Sequence, residues 1–194
     1  MSDSPEKPDD AVTAFAKRGV RWDAAAAVIA SLVGLLALVV AGYTAYIQRQ
    51  QASAQVWPYL MMASSDMSTE YMWLNKGVGP AQVESVEVFV GGKLQKDWRA
   101  VFRSLQLENL GYGQSTLNGN VLSAGEKVAW LIFDKRDDFL AFRSAAKRAK
   151  FGVRLCYCST LGDCWINDST NGDWNDRHAM AKCPVVAESS QFGD

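Results

Sequence analysis

Hydrophobic positions along the chain fall into two regimes. Residues 24–47, AAAAVIASLVGLLALVVAGYTAYI, form one uncharged block of 24 residues, and beyond it apolar positions come in short runs separated by turn signals. At about 1.5 Å of rise per residue, a helix over that block exceeds the roughly 30 Å hydrocarbon core of a bilayer. It is apolar on every side, which predicts a transmembrane helix and not the core helix of a soluble domain. Trp22 marks one margin, while Tyr43, Tyr46, Trp57 and Tyr59 lie at or beyond the other, where amphipathic rings prefer the headgroup level. Lys17, Arg18 and Arg21 crowd the N-terminal flank, and only Arg49 stands close on the other side. Cations beside a span are retained in the cytoplasm, so the N-terminus is expected inside and the larger C-terminal part outside. A cleaved signal peptide is the competing reading, since Ala52, Ser53 and Ala54 form a small-residue site. Signal h-regions, however, are only about 7–15 residues long.

This divides the chain into a cytoplasmic tail over residues 1–23, the span over 24–47, a helical stalk over 48–55 and an outer domain over 56–194. The stalk should stop before Pro58, which disfavours helical geometry in the residue preceding it. Within the span Ala26, Ala30 and Gly34 recur every fourth position, as do Ala37, Ala41 and Ala45. Small residues at that spacing let two helices approach closely, so self-association along Ala26, Ala30 and Gly34 is one expectation.

The outer part reads as strands. Residues 56–64 and 70–75 are apolar runs around a turn at Ser65 and Asp66, and Gly77, Gly79 and Pro80 end the second. Residues 82–90, QVESVEVFV, alternate with a phase shift marked by Glu84 and Glu87, predicting a strand with one bulge before a Gly91, Gly92 hairpin. A short helix capped by Asp97 follows, then a polar loop over 109–120 and a buried strand over 128–133. A helix over 134–150 is expected, capped by Asp134, with Phe139, Phe142 and Ala146 facing the core. Residues 151–159 and 164–167 complete the strands, and everything from Asp168 reads as polar loop. The fold class expected is a mainly β, α+β domain, sandwich-like in form, with one or two short helices.

Composition narrows the function. Twenty Lys and Arg stand against 21 Asp and Glu, a net charge of -1, without the cationic excess of a nucleic-acid binder. Cys156, Cys158, Cys164 and Cys183 are the strongest local signal, and four cysteines allow three pairings. If residues 160–162 form a three-residue hairpin loop with Gly162 left-handed, Ser159 faces Asp163 and Cys158 lies opposite Cys164. Opposed residues in an antiparallel pair are within disulfide reach, which leaves Cys156 for Cys183. Zinc, with His178 as an added ligand, and free thiols are the rival readings. Structural zinc sites favour two to four residues between paired cysteines, a wider spacing than Cys156 and Cys158 offer.

Residues 74–81 (LNKGVGPA), 83–93 (VESVEVFVGGK) and 122–133 (LSAGEKVAWLIF) resemble segments of uncharacterised bacterial single-pass inner-membrane proteins with a small β-rich periplasmic domain. The resemblance implies location and architecture. It implies no activity, because its motifs are turns and not reactive groups.

Catalytic signals are sparse. His178 is the single histidine, no G-x-S-x-G elbow is present, and Gly77 and Gly79 lead into Pro80 rather than a nucleotide-binding helix. No catalytic residue and no cofactor are expected. Arg143, Lys147, Arg148 and Lys150 concentrate cations at a helix end, either to complement its dipole or to meet anionic envelope components. Trp174, in the loop sequence NGDWND, is the aromatic residue best placed as a contact. Two function classes follow. The first is a non-enzymatic envelope protein of the bacterial inner membrane whose outer domain binds a partner or supports a complex. The alternative is a thiol-redox or hydrolytic envelope enzyme.

Overall fold

The computed structural model describes residues 13–174, 176–187 and 190–193, with side chains from Trp22 onward. The tail expected over residues 1–12 and the side chains of Lys17, Arg18 and Arg21 lie outside the described residues. Helix α1 (Thr13–Gln55) contains the apolar block, and its stretch Trp22–Gln55 is long and apolar enough to cross a membrane, with a mean hydropathy of 2.7 over its most apolar 18 residues. Alanine and leucine, the best helix formers, dominate it, and it ends three residues before Pro58. The chain divides into two compact units, Met1–Gln51 and Ala52–Asp194.

The second unit holds two antiparallel sheets. One runs in the order β1 (Leu60–Ser65), β2 (Glu70–Asn75), β7 (Lys127–Phe133), β5 (Tyr112–Gln114). The other runs β10 (Arg177–Met180), β9 (Cys164–Asp168), β8 (Gly152–Cys158), β3 (Ala81–Val90), β4 (Lys93–Gln95), with β6 (Val121–Leu122) also on β3. Helices α2 (Trp98–Ser104) and α3 (Arg136–Arg148) complete a mostly β, α+β body. Side chains from both sheets and both short helices meet in one core. Trp98 sits at its aromatic centre, its ring 4.7 Å from that of Trp130 and 5.2 Å from that of Phe192, which brings the C-terminal segment into the core.

Local chemistry explains the elements. β3 carries its bulge between Val83 and Ser85, at the phase shift near Glu84. Gly91 and Gly92 take φ of 59° and 75°, as a tight hairpin demands. Asp97 caps α2 through Oδ1, which accepts from Ala100 N at 2.7 Å. α3 departs from expectation at its start. Its first carbonyl acceptor is Lys135, bonded by Phe139 N at 3.2 Å, so Lys135 and not Asp134 is the N-cap. β1 also starts later than its apolar run, because Pro58 has no N–H and the Trp57 carbonyl accepts from Val78 N at 3.0 Å. A Cβ at Gly77 or Gly79 would overlap the backbone of residues 56–59, so these glycines serve close packing. β5 and β10 are strands that the expected loops concealed.

Candidate functional site

Both cysteine bridges form in the second unit, Cys156 to Cys183 and Cys158 to Cys164. The hairpin responsible is as expected: Cys158 pairs with Cys164, Ser159 N donates to Asp163 O at 2.7 Å, and Gly162 has φ 85°. The bridges are neighbours, with Cys158 Sγ and Cys183 Sγ 3.6 Å apart. Cys158, Cys164 and Cys183 thereby gather sulfurs at metal-like distances, but bonded sulfurs are not the thiolates that zinc requires. His178 sits on exposed β10 with Nε2 3.0 Å from Asp176 Oδ1, and it lines neither of the cavities described below.

The larger cavity, about 790 Å³, opens between β1, the end of α3 and the loop over residues 169–174. Its apolar floor includes Met62, Tyr71, Ala146 and Phe151. Arg143, Lys147 and Lys150 line it, and among its described lining residues there is no carboxylate. Arg143 is tied to Asp66 at 2.6 Å, outside the lining, whereas Lys147 and Lys150 have no ion pair among the described residues. Burial pushes the Tyr71 hydroxyl up to about 12, against the pull of Arg143, so its phenol is neutral at physiological pH. Trp174 stacks on Phe151 with ring centroids 6.0 Å apart and closes one side.

The structure thus brings Arg143, Lys147 and Trp174 to one cleft and leaves Arg148 outside its lining. Arg143 and Lys147 are four apart on one face of α3, Arg148 falls off that face, and Lys150 lies past the end of the helix. Lys150 belongs to the cation cluster expected at this helix end, and it lines the cleft with Arg143 and Lys147. A second signal is conformational. Lys150 takes φ 51° at the position after the Ala149 cap, and Phe151 N returns to Ala146 O at 2.9 Å. Glycine is the usual residue there, so a lysine carries a backbone cost of order 1 kcal/mol at the cleft.

The loop wall is tied down. Gly152 leaves room for Thr170, whose Cα would be 2.8 Å from any added Cβ. Ser169 Oγ donates to Val153 O at 3.0 Å and accepts from Val153 N at 2.7 Å. Asp168 Oδ1 accepts from both the N–H and the hydroxyl of Thr170. Burial alone would raise the Asp168 carboxyl, but the Thr170 bonds and Arg154 together hold it below the usual range. In the other sheet, the Lys127 ammonium, 2.7 Å away, holds Glu70 low against its burial. Carboxyls depressed in the folded state add stability above the unfolded range near pH 4, and that stability is lost as pH falls through the folded values. In scanning calorimetry the midpoint should stay level from pH 7 to about 5 and then fall. The Glu70→Gln, Asp168→Asn double variant should fall less, and an unchanged acid limb in that variant would refute the assignment.

A second cavity of about 590 Å³ lies against the bridges, with Glu84 and Lys182 both in its lining, so it carries no single sign of charge. Elsewhere, Trp57 and Tyr59 are engaged by the Arg177 guanidinium, 5.0 Å and 4.3 Å from their ring centres. Ala26, Ala30 and Gly34 are all exposed on α1, and a Cβ at Gly34 meets nothing within 4 Å. No protein-family model matches the chain, no curated protein matches its sequence, and no solved structure matches its fold. The resemblance to bacterial inner-membrane proteins therefore rests on the turn motifs quoted above.

Proposed function

We propose that this is a non-enzymatic envelope protein of the bacterial inner membrane. Residues 24–47 anchor it with the N-terminus in the cytoplasm, and its sandwich-like outer domain lies in the periplasm and binds an anionic partner. The observation that carries the reading is the cleft itself, with three cations, no carboxylate among its described lining residues and an apolar floor walled by an aromatic ring. Two disulfides support an oxidising compartment, and Lys17, Arg18 and Arg21 against Arg49 support the orientation. The thiol-redox alternative draws little support, because Cys156, Cys158 and Cys164 are buried and bonded.

Alkaline phosphatase fused after residue 55 should be active in a bacterial host, and an inactive fusion refutes the orientation. A photo-crosslinking residue at Thr170 should capture a partner in native membranes. The Lys147→Glu variant should lower that yield at least fivefold. Equal yields with and without Lys147 would remove the cleft from the function.

A further inference from the structure

We infer that the partner enters the cleft as an extended acidic peptide segment, which adds to the free edge of β1 and sets its carboxylates against Arg143, Lys147 and Lys150. This deepens the partner-binding reading above and rests on it. Among the described residues β1 is an edge strand, paired only with β2. Backbone parity shows which groups it leaves open. Tyr59 O accepts from Lys76 N at 2.8 Å, so odd positions here face β2. Leu60, one residue on, faces the other way: its N–H donates to Tyr157 Oη at 3.3 Å, and its C=O accepts from Asn167 Nδ2 at 2.8 Å. Side chains of β8 and β9 thus close the gap at Leu60. Met62 and Ser64 share that outward parity, line the cleft, and have no hydrogen-bond partner for these backbone groups among the described residues. Ser64 is exposed and Met62, 5% exposed, lies at the cleft floor, so their unpaired N–H and C=O groups mark where an added strand would bond.

Spacing and charge select an acidic strand. Alternate side chains of an extended chain recur every ~6.8 Å on one face. Positions four apart on a helix rise ~6 Å, so acidic residues at alternate positions match Arg143 and Lys147, while Lys150, past the end of α3, adds a third cation to the lining. A phosphate or a lipid headgroup would use the cations and leave the β1 edge idle. An alternating peptide uses both, and its intervening backbone lies over Met62 and Tyr71. Lys150, held left-handed where glycine is preferred, is then kept for its ammonium.

The test is panning of phage-displayed octapeptides against the full chain in detergent micelles, followed by affinities of the selected peptide in synthetic form. Selected sequences should carry Asp or Glu at alternate positions. Binding should weaken at least tenfold for Lys147→Glu and at least threefold for Lys150→Gly, a variant that should melt no lower than the parent because glycine suits that backbone. N-methylation of the central peptide amides should weaken binding at least tenfold. Selected peptides without acids, or affinity indifferent to N-methylation, overturn strand addition. If no peptide is selected, and phosphatidylglycerol vesicles bind in a Lys147-dependent way, the occupant is lipid and strand addition falls while the cleft stands. If neither peptide nor vesicle responds to Lys147→Glu, the cleft reading falls as well.

Discussion

Replacing Asn75 by alanine is expected to destabilise the second unit by about 3–5 kcal/mol, roughly 10–15 °C in its melting midpoint. Asn75 is fully buried at the end of β2 and uses all of its amide. Nδ2 donates to Gly79 O at 2.8 Å and to Leu122 O at 3.0 Å. Oδ1 accepts from Tyr59 N at 3.1 Å and from Gly77 N at 3.0 Å. One side chain thus joins the residue before β1, the glycine turn and β6. Alanine would strand two donors and two acceptors, each costing about 1–3 kcal/mol when dry, and partial hydration of the half-buried Tyr59 and Gly77 sets the total below the full sum. Asn75→Asp is the sharper variant. It keeps the shape but replaces the donating Nδ2 by a carboxylate oxygen facing two carbonyls, and it should be at least as destabilising as alanine at pH 7. Chemical denaturation placing Asn75→Ala within 1 kcal/mol of the parent would show that the turn does not depend on this residue.

How far the sequence speaks follows from where each signal is stored. The helix over the apolar block, the Asp97 cap, the bulge near Glu84 and the hairpin that opposes Cys158 to Cys164 depend on neighbours a few residues apart, and each is readable locally. β10 was not legible: Arg177–Met180 is a polar edge strand, and it owes its existence to pairing with β9. β5 is three residues long and includes Gly113, too short for any alternation to show. Arg143, Lys147 and Trp174 are readable as exposed candidates, but their convergence is a product of sheet order. The open edge of β1 is likewise invisible in sequence, since it depends on β1 lying at the end of its sheet and on Tyr157 and Asn167 closing one half of the gap.

Removing the longer bridge by a Cys156→Ala, Cys183→Ala double substitution should cost about 3–4 kcal/mol, against about 2 kcal/mol for the Cys158, Cys164 pair. The difference follows from loop length, because the bridges span sequence separations of 27 and 6. The longer one also fixes β10 and the segment that carries Phe192 back to Trp98 and Trp130. Phe192 N bonds Val86 O at 2.8 Å, so the C-terminal segment keeps a second attachment and the double variant should still fold. Single substitutions should behave differently. Cys156→Ala leaves a Cys183 thiol whose sulfur lies 3.6 Å from Cys158 Sγ in the parent. Its thiolate can attack Cys158, forming a Cys158–Cys183 bond and expelling Cys164 as the free thiolate, with no outside oxidant needed. Peptide mapping of Cys156→Ala under non-reducing conditions should therefore find Cys164 alkylated alongside Cys183. A product in which only Cys183 is ever alkylated would mean that the two bridges, although adjacent, do not communicate.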